Sequence, residues 1–283
     1  MERISQDGHV IRLRLNAEKA TREPVKVIEE SIGINEASVF PGFCQEHDSE
    51  IFKPLEQATF TGTPEQLHLL AYRSICREAC TKHQMVGFML DQGMLESQLT
   101  PHGFRVIREM NWAIELLSMK TQFEDTLRLG RFNILNHCLV RFERTPQVLV
   151  STNFIPMVTF TGRALEVRPQ DRINLSIVPA QGGGYAGFSW MKSSPKNGGL
   201  FATSIRHLKS DRLTDALIRL VVEVSDNFYF SPAWWGALGK RQAELKSAFA
   251  RNITMGDDTP PARLLCSTAH PIADWKMAEI RMM

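Results

Sequence analysis

The stretch FCQEHDSEIF, residues 43 to 52, sets a thiol, an imidazole and a carboxylate close together in Cys44, His47 and Asp48. Cys-x2-His is half of a zinc-knuckle ligand set, in which thiolate and imidazole reach one tetrahedral ion. A closed site needs two more ligands. CREAC puts Cys76 and Cys80 one helical turn apart, and CSTAH puts Cys266 and His270 at a similar separation. Cysteine on an amphipathic helix is ordinarily a core residue, so Cys76 and Cys80 read as packing. Cys266 and His270 fall in a loop-rich tail with no sequence reason to converge on the first pair.

Other constellations are less dense. RFNILNH sets Arg131 before His137 at the loose Arg–His spacing of HEPN-type ribonucleases, where histidine would move a proton and arginine would meet phosphate charge. QGGGYAG spaces Gly182, Gly184 and Gly187 like a dinucleotide fingerprint. That fingerprint must open a helix, whereas FSWMK reads as a strand, so a β-hairpin turn is expected. YFSPAWWGALGKRQ brings Tyr229, Trp234 and Trp235 beside Lys240 and Arg241, a base-stacking composition that core packing on an amphipathic helix also explains. Charge leans positive only in SIRHLKSDR, with Arg206, Lys209 and Arg212 against Asp211. The chain has no nucleophile elbow, Walker sequence, HExxH or C-x2-C.

The elements that must position these residues follow from periodicity. Residues 1–62 read as an irregular segment around one short strand or hairpin, carrying the degenerate half-site. Residues 63–283 read as an α+β domain. TPEQ is a capping box with proline at the first helical position, and Leu67, Leu70, Ala71, Ile75 and Ala79 continue at helical spacing. Thr100-Pro101 repeats the signal, giving helices over 63–131. Short runs rich in Val, Ile, Thr and Phe then predict antiparallel strands over 135–192, including MVTFTGRALEV. Leu213, Leu217, Leu220 and Val224, then Trp235, Leu238, Leu245 and Phe249, predict helices over 210–251. From Gly256 the tail reads as loop.

Composition narrows the class. With 43% hydrophobic and 23% charged residues the chain is an ordinary globular one. A net charge of +2 neither requires nor excludes a nucleic-acid partner. Five scattered cysteines are not a disulfide framework and fit a reducing compartment. MERISQDGHVIRLRL has no secretory core, and no apolar run approaches the roughly 18 residues of a membrane span. The expectation is a cytoplasmic protein with no membrane partner.

GHVIRL followed by INEASVFPGFCQEHDSEIFKPLE is similar to uncharacterised bacterial proteins with an N-terminal zinc-finger segment of HNH (treble-clef) type. The resemblance spans about residues 8–60. It implies that Cys44 and His47 are the ligand pair on the motif's helix, with Asp48 in a metal-proximal position. The first half of such a motif supplies a cysteine pair and a histidine. Upstream of Cys44 this chain offers only His9. The resemblance therefore implies a nucleic-acid-associated protein without an intact HNH site, with a role in host conflict or mobile-element biology. The alternatives are a metal-independent ribonuclease using Arg131 and His137, and a non-catalytic protein-interaction module.

Two ligands leave an ion's other positions to water, so no zinc, or only weakly bound zinc, is expected. Elemental analysis of the purified chain should find near-zero zinc, and a chelator should leave the unfolding midpoint unchanged. One zinc per chain, lost together with stability in Cys44→Ser, would show a complete site whose other ligands the spacing did not reveal.

Overall fold

The first of the two longest helices begins where the sequence places it. Thr63 accepts from Gln66 N–H at 3.2 Å while the Gln66 side chain accepts from Thr63 N–H. The same Gln66 amide gathers the Thr61 and Gly62 N–H groups and donates to the Pro54 and Thr59 carbonyls. One glutamine thus ties the start of a 28-residue helix to the segment before it. In the computed structural model of the chain, residues 1–16, 26–37, 42–43, 45–94, 101–254 and 271–283 are described.

The described elements are, in order, β1 (His9–Leu15), β2 (Val27–Gly33), α1 (Gln45–Ile51), α2 (Lys53–Glu56), α3 (Pro64–Asp91) and α4 (Pro101–Arg128). There follow β3 (Leu135–Phe142), β4 (Val148–Phe154), β5 (Ile173–Ala180), β6 (Gly183–Met191), α5 (Pro195–Ile205) and α6 (Ser210–Val224). The chain closes with β7 (Phe228–Phe230), α7 (Pro232–Ala237), α8 (Gln242–Thr254) and β8 (Met277–Met282). The strands form one antiparallel sheet in the order β2-β1-β7-β4-β5-β6-β3-β8, so the class is α+β.

Period-two alternation gives the sheet two unlike faces. Cys138, Val140 and Phe142 on β3, Ile173, Leu175 and Ile177 on β5, and Ala186, Phe188 and Trp190 on β6 form the principal core with α5, α6 and α8. The residues between them face the α3–α4 pair, where Phe52, Tyr72, Ile75, Met119, Phe123, Leu135 and Met191 make a second cluster.

The structure adds to or departs from the sequence reading at four points. The strand or hairpin expected within residues 1–62 is the β1–β2 pair, which also extends the main sheet through Ile11↔Phe230, a pairing across more than two hundred residues that no local pattern reveals. MVTFTGRALEV is not a strand but a turn closed by the bridge Val158↔Ala164. Residues 195–205 form α5 despite two glycines. A Cβ at Gly198 would lie 2.2 Å from Trp190 Cγ, so the missing side chain lets the helix approach the sheet. Finally, β7 and β8 lie outside the expected strand block and are recruited by pairing with β1, β4 and β3.

The glycine run is a hairpin: Ala180 pairs with Gly183, and Gly182 has φ +72°. Gly184 is needed for a different reason. A Cβ there would sit 2.3 Å from Pro146 Cδ and 2.9 Å from the Val178 carbonyl oxygen. Gly184→Val should therefore lower the melting temperature more than Gly182→Ala does, by an overpacking cost of about 1–3 kcal/mol or above. Differential scanning calorimetry of the two variants checks the order.

Candidate functional site

Helix α1 carries the stretch that the sequence singles out. Cys44 lies outside the described residues, as do Cys266 and His270. His47 and Asp48 are consecutive on α1, so their side chains leave the axis about 100° apart, and they border different cavities. His47 lines one of about 630 Å³ with Tyr72 and Lys120. Asp48 lines a cleft of about 680 Å³ between α3 and the sheet. Asp48 Oδ1 is 3.8 Å from Arg73 Nη2, which also holds Glu56 at 2.6 Å. A guanidinium beside the carboxylate repels a metal cation. Among the described residues no group of three or more His, Cys, Asp or Glu side chains is placed to hold a metal.

Packing holds this segment. Phe52 is fully buried, meets Phe43 edge-on at 5.3 Å and stacks with Tyr72 at 6.2 Å. The Arg73 guanidinium covers the Phe52 ring at 4.0 Å, a cation–π contact. Cys76 lies in the same cluster, and burial pushes its thiol up to about 12. Cys80 is half-buried, and both thiols are free.

Arg131 and His137 are separated by the fold. Arg131 is exposed in the loop after α4, while His137 on β3 is 3% exposed beneath the helices. His137 Nδ1 shares a 2.8 Å hydrogen bond with Ser189 Oγ. Burial drops its pKa to about 4, so the imidazole is neutral and closed off from a strand of RNA. The arrangement gives it a structural place in the interior.

That interior is the feature the spacing did not announce. A polar row crosses the sheet beneath α3 and α4. Asn174 donates to the Ser189 carbonyl at 3.4 Å, and Asn153 donates to Asn174 at 2.9 Å. Arg172, 4% exposed, donates to Asn153 at 2.8 Å. Helix α3 adds His68, whose ring meets Phe123 at a tilt with centroids 4.6 Å apart, and Ser74, fully enclosed. It also adds Glu78, which burial and then the nearby Asp226 carboxylate push up to about 7. Arg77 holds both acids, at 3.1 and 3.0 Å. The available signal was the polar residues His68, Ser74 and Glu78 set among the apolar residues of α3.

The basic run forms a corner between α5 and α6. Ile205 and Leu213 are fully buried and pin it, and Lys209 is the N-cap of α6. Arg206, His207, Lys209 and Arg212 are exposed, and among the described residues none has an ion-pair partner. Cations at a helix N-terminus add to the positive end of the helix dipole, so the corner concentrates positive potential. Trp235, by contrast, is buried against Phe230 and donates to Glu29 at 2.8 Å, which assigns it to the core. No helix among the described residues is long and apolar enough to cross a membrane. Comparison with models of protein families, with curated proteins and with solved structures found no match.

The buried imidazoles carry a pH signature. His68 and His137 are both held at about 4, below the ordinary 6.5, so the unfolded chain takes up their protons first. Their contribution to stability is present above pH 6.5 and is lost as pH falls toward 4. Glu78, raised to about 7, runs the other way, because the folded chain holds its proton longer. Two protons against one leave a net loss of stability on acidification through this window. His137→Asn should flatten that dependence by about 1.4 kcal/mol per pH unit between roughly pH 6 and 4.5, read from urea denaturation at a series of pH values.

Proposed function

We propose that this chain is a nucleic-acid-associated protein that contacts the phosphate backbone through the α5–α6 corner. The observation that carries this reading is four exposed basic side chains within seven residues, Arg206 to Arg212, without ion-pair partners among the described residues. Several cations elsewhere are matched, Arg12 with Glu30, Arg77 with Asp226, Lys82 with Glu109 and Lys246 with Glu29, and what sets the corner apart is that its unmatched cations fall within one short run. Unmatched cations on a rigid corner suit a polyanion, whose released counterions drive binding. The resemblance of residues 8–60 to HNH-type proteins points to the same class of partner. The reading assigns no reaction and no zinc-dependent step.

A second reading, a protein-interaction module, has its own observation. Phe88, Phe104 and Ile114 are 63%, 61% and 62% exposed on α3 and α4, large apolar groups that a partner could cover. It is the reading left standing if the chain binds no oligonucleotide.

The test is fluorescence anisotropy of labelled single- and double-stranded oligonucleotides across a salt series. Binding should weaken linearly in log affinity against log salt. The triple variant Arg206→Ala, Lys209→Ala, Arg212→Ala should lower the duplex slope by about two to three, near 0.9 for each lost phosphate contact. An unchanged slope, or no binding at about 50 mM salt, would overturn the proposal.

A further inference from the structure

Strands β4 and β5 run side by side from Phe154↔Ile173 to Val150↔Ile177, and there their ladder stops. Both strands continue. Val148 and Leu149 stay paired with β7, while Val178, Pro179 and Ala180 stay paired with β6. Pro179 has no N–H with which to extend a ladder. The sheet therefore fans open at this end, and the opening is the floor of the 680 Å³ cleft that α3 covers.

The walls of the cleft are chemically uneven. Phe43, Leu55, Leu70 and Val178 give it an apolar part. Arg73 and Arg77, one helical turn apart on α3, bring two guanidinium groups to it, and the Asp48 and Glu56 carboxylates paired with Arg73 line the same wall. Arg73 uses only Nη2 on Glu56 and Asp48, and Arg77 uses only Nη1 on Glu78 and Asp226. Their remaining N–H donors have no acceptor among the described residues. Ser151 Oγ, also at the cleft, likewise makes no hydrogen bond among them. The volume falls in the range of small-molecule sites, which combine apolar lining with a few convergent polar groups.

We propose that this cleft is a binding site for a small organic anion with an apolar body. Its carboxylate or sulfonate would be taken by the free guanidinium edges of Arg73 and Arg77, and its body would lie on the fanned strands. Arginine suits this role because its planar fork binds such anions through paired hydrogen bonds. The site is separate from the α5–α6 corner and does not rest on the nucleic-acid reading.

The full chain should be titrated with 8-anilinonaphthalene-1-sulfonate and, in parallel, with its uncharged analogue N-phenyl-1-naphthylamine. The sulfonate should give one saturable fluorescence transition and bind at least tenfold more tightly than the uncharged dye. Leu70→Trp, which fills the cleft, and Arg73→Ala, which removes a guanidinium, should each weaken sulfonate binding at least tenfold. Ile114→Ser, on the exposed face of α4, should leave it unchanged. Far-UV circular dichroism identifies any variant that fails to fold, and the other variant then carries the test. The proposal is overturned by absence of saturable binding, by equal affinity for the two dyes, by full affinity in the folded cleft variants, or by loss confined to Ile114→Ser.

Discussion

Much of the structure depends on one constraint: a polar row on the inner face of the sheet lies under two helices and must find most of its hydrogen-bond partners within itself. Asn153, Asn174, Ser189, His137 and Arg172 lie where an antiparallel sheet would ordinarily be wet. Burying such groups without partners would cost several kcal/mol in total. They are matched to one another in part, Arg172 to Asn153 and His137 to Ser189, while Arg172 Nε and His137 Nε2 have no partner among the described residues. The matching lets α3 and α4 pack there, with the aromatic cluster around Phe52, Tyr72 and Phe123 closing one end.

The same requirement explains where charge goes. Arg77 lies between the buried carboxyl of Glu78 and Asp226, so one guanidinium faces both the interior layer and the cleft. The charges of Lys82 and Glu109, 2.5 Å apart, offset each other beside Trp112. The opposite face of the sheet has no such demand. Its core is an apolar layer of Phe188, Phe201, Leu217 and Val221 among others, and the chain above it is free to expose the unmatched cations of the α5–α6 corner.

The α1 segment with His47 and Asp48 belongs to the α3–α4 side, where Ile51 and Phe52 join the aromatic cluster. His47 and Asp48 turn toward different cavities, and Asp48 lies near an arginine. What anchors the stretch is Phe52, which is buried under the Arg73 guanidinium. Composition made this the densest chemical motif in the chain, yet its position in the fold rests on an aromatic ring.

The sequence by itself determined the elements whose signals are local. The Thr63–Gln66 capping box, the helical stripes of α3 and α6, the alternation along β5 and β6 and the glycine hairpin all depend on neighbours within a few residues. The α+β class followed from their order. Tertiary structure alone decided what depends on distant partners. The strand β7, three residues long, exists because β1 and β4 flank it, and β8 exists because β3 offers an edge. His137 looked like a candidate for proton transfer, and burial beneath α3 and α4 made it a neutral interior group. Only the diverging partners of β4 and β5 place Pro179 on the floor of a cleft. Burial and pairing are properties of space, and chain spacing records them only where the contact is local.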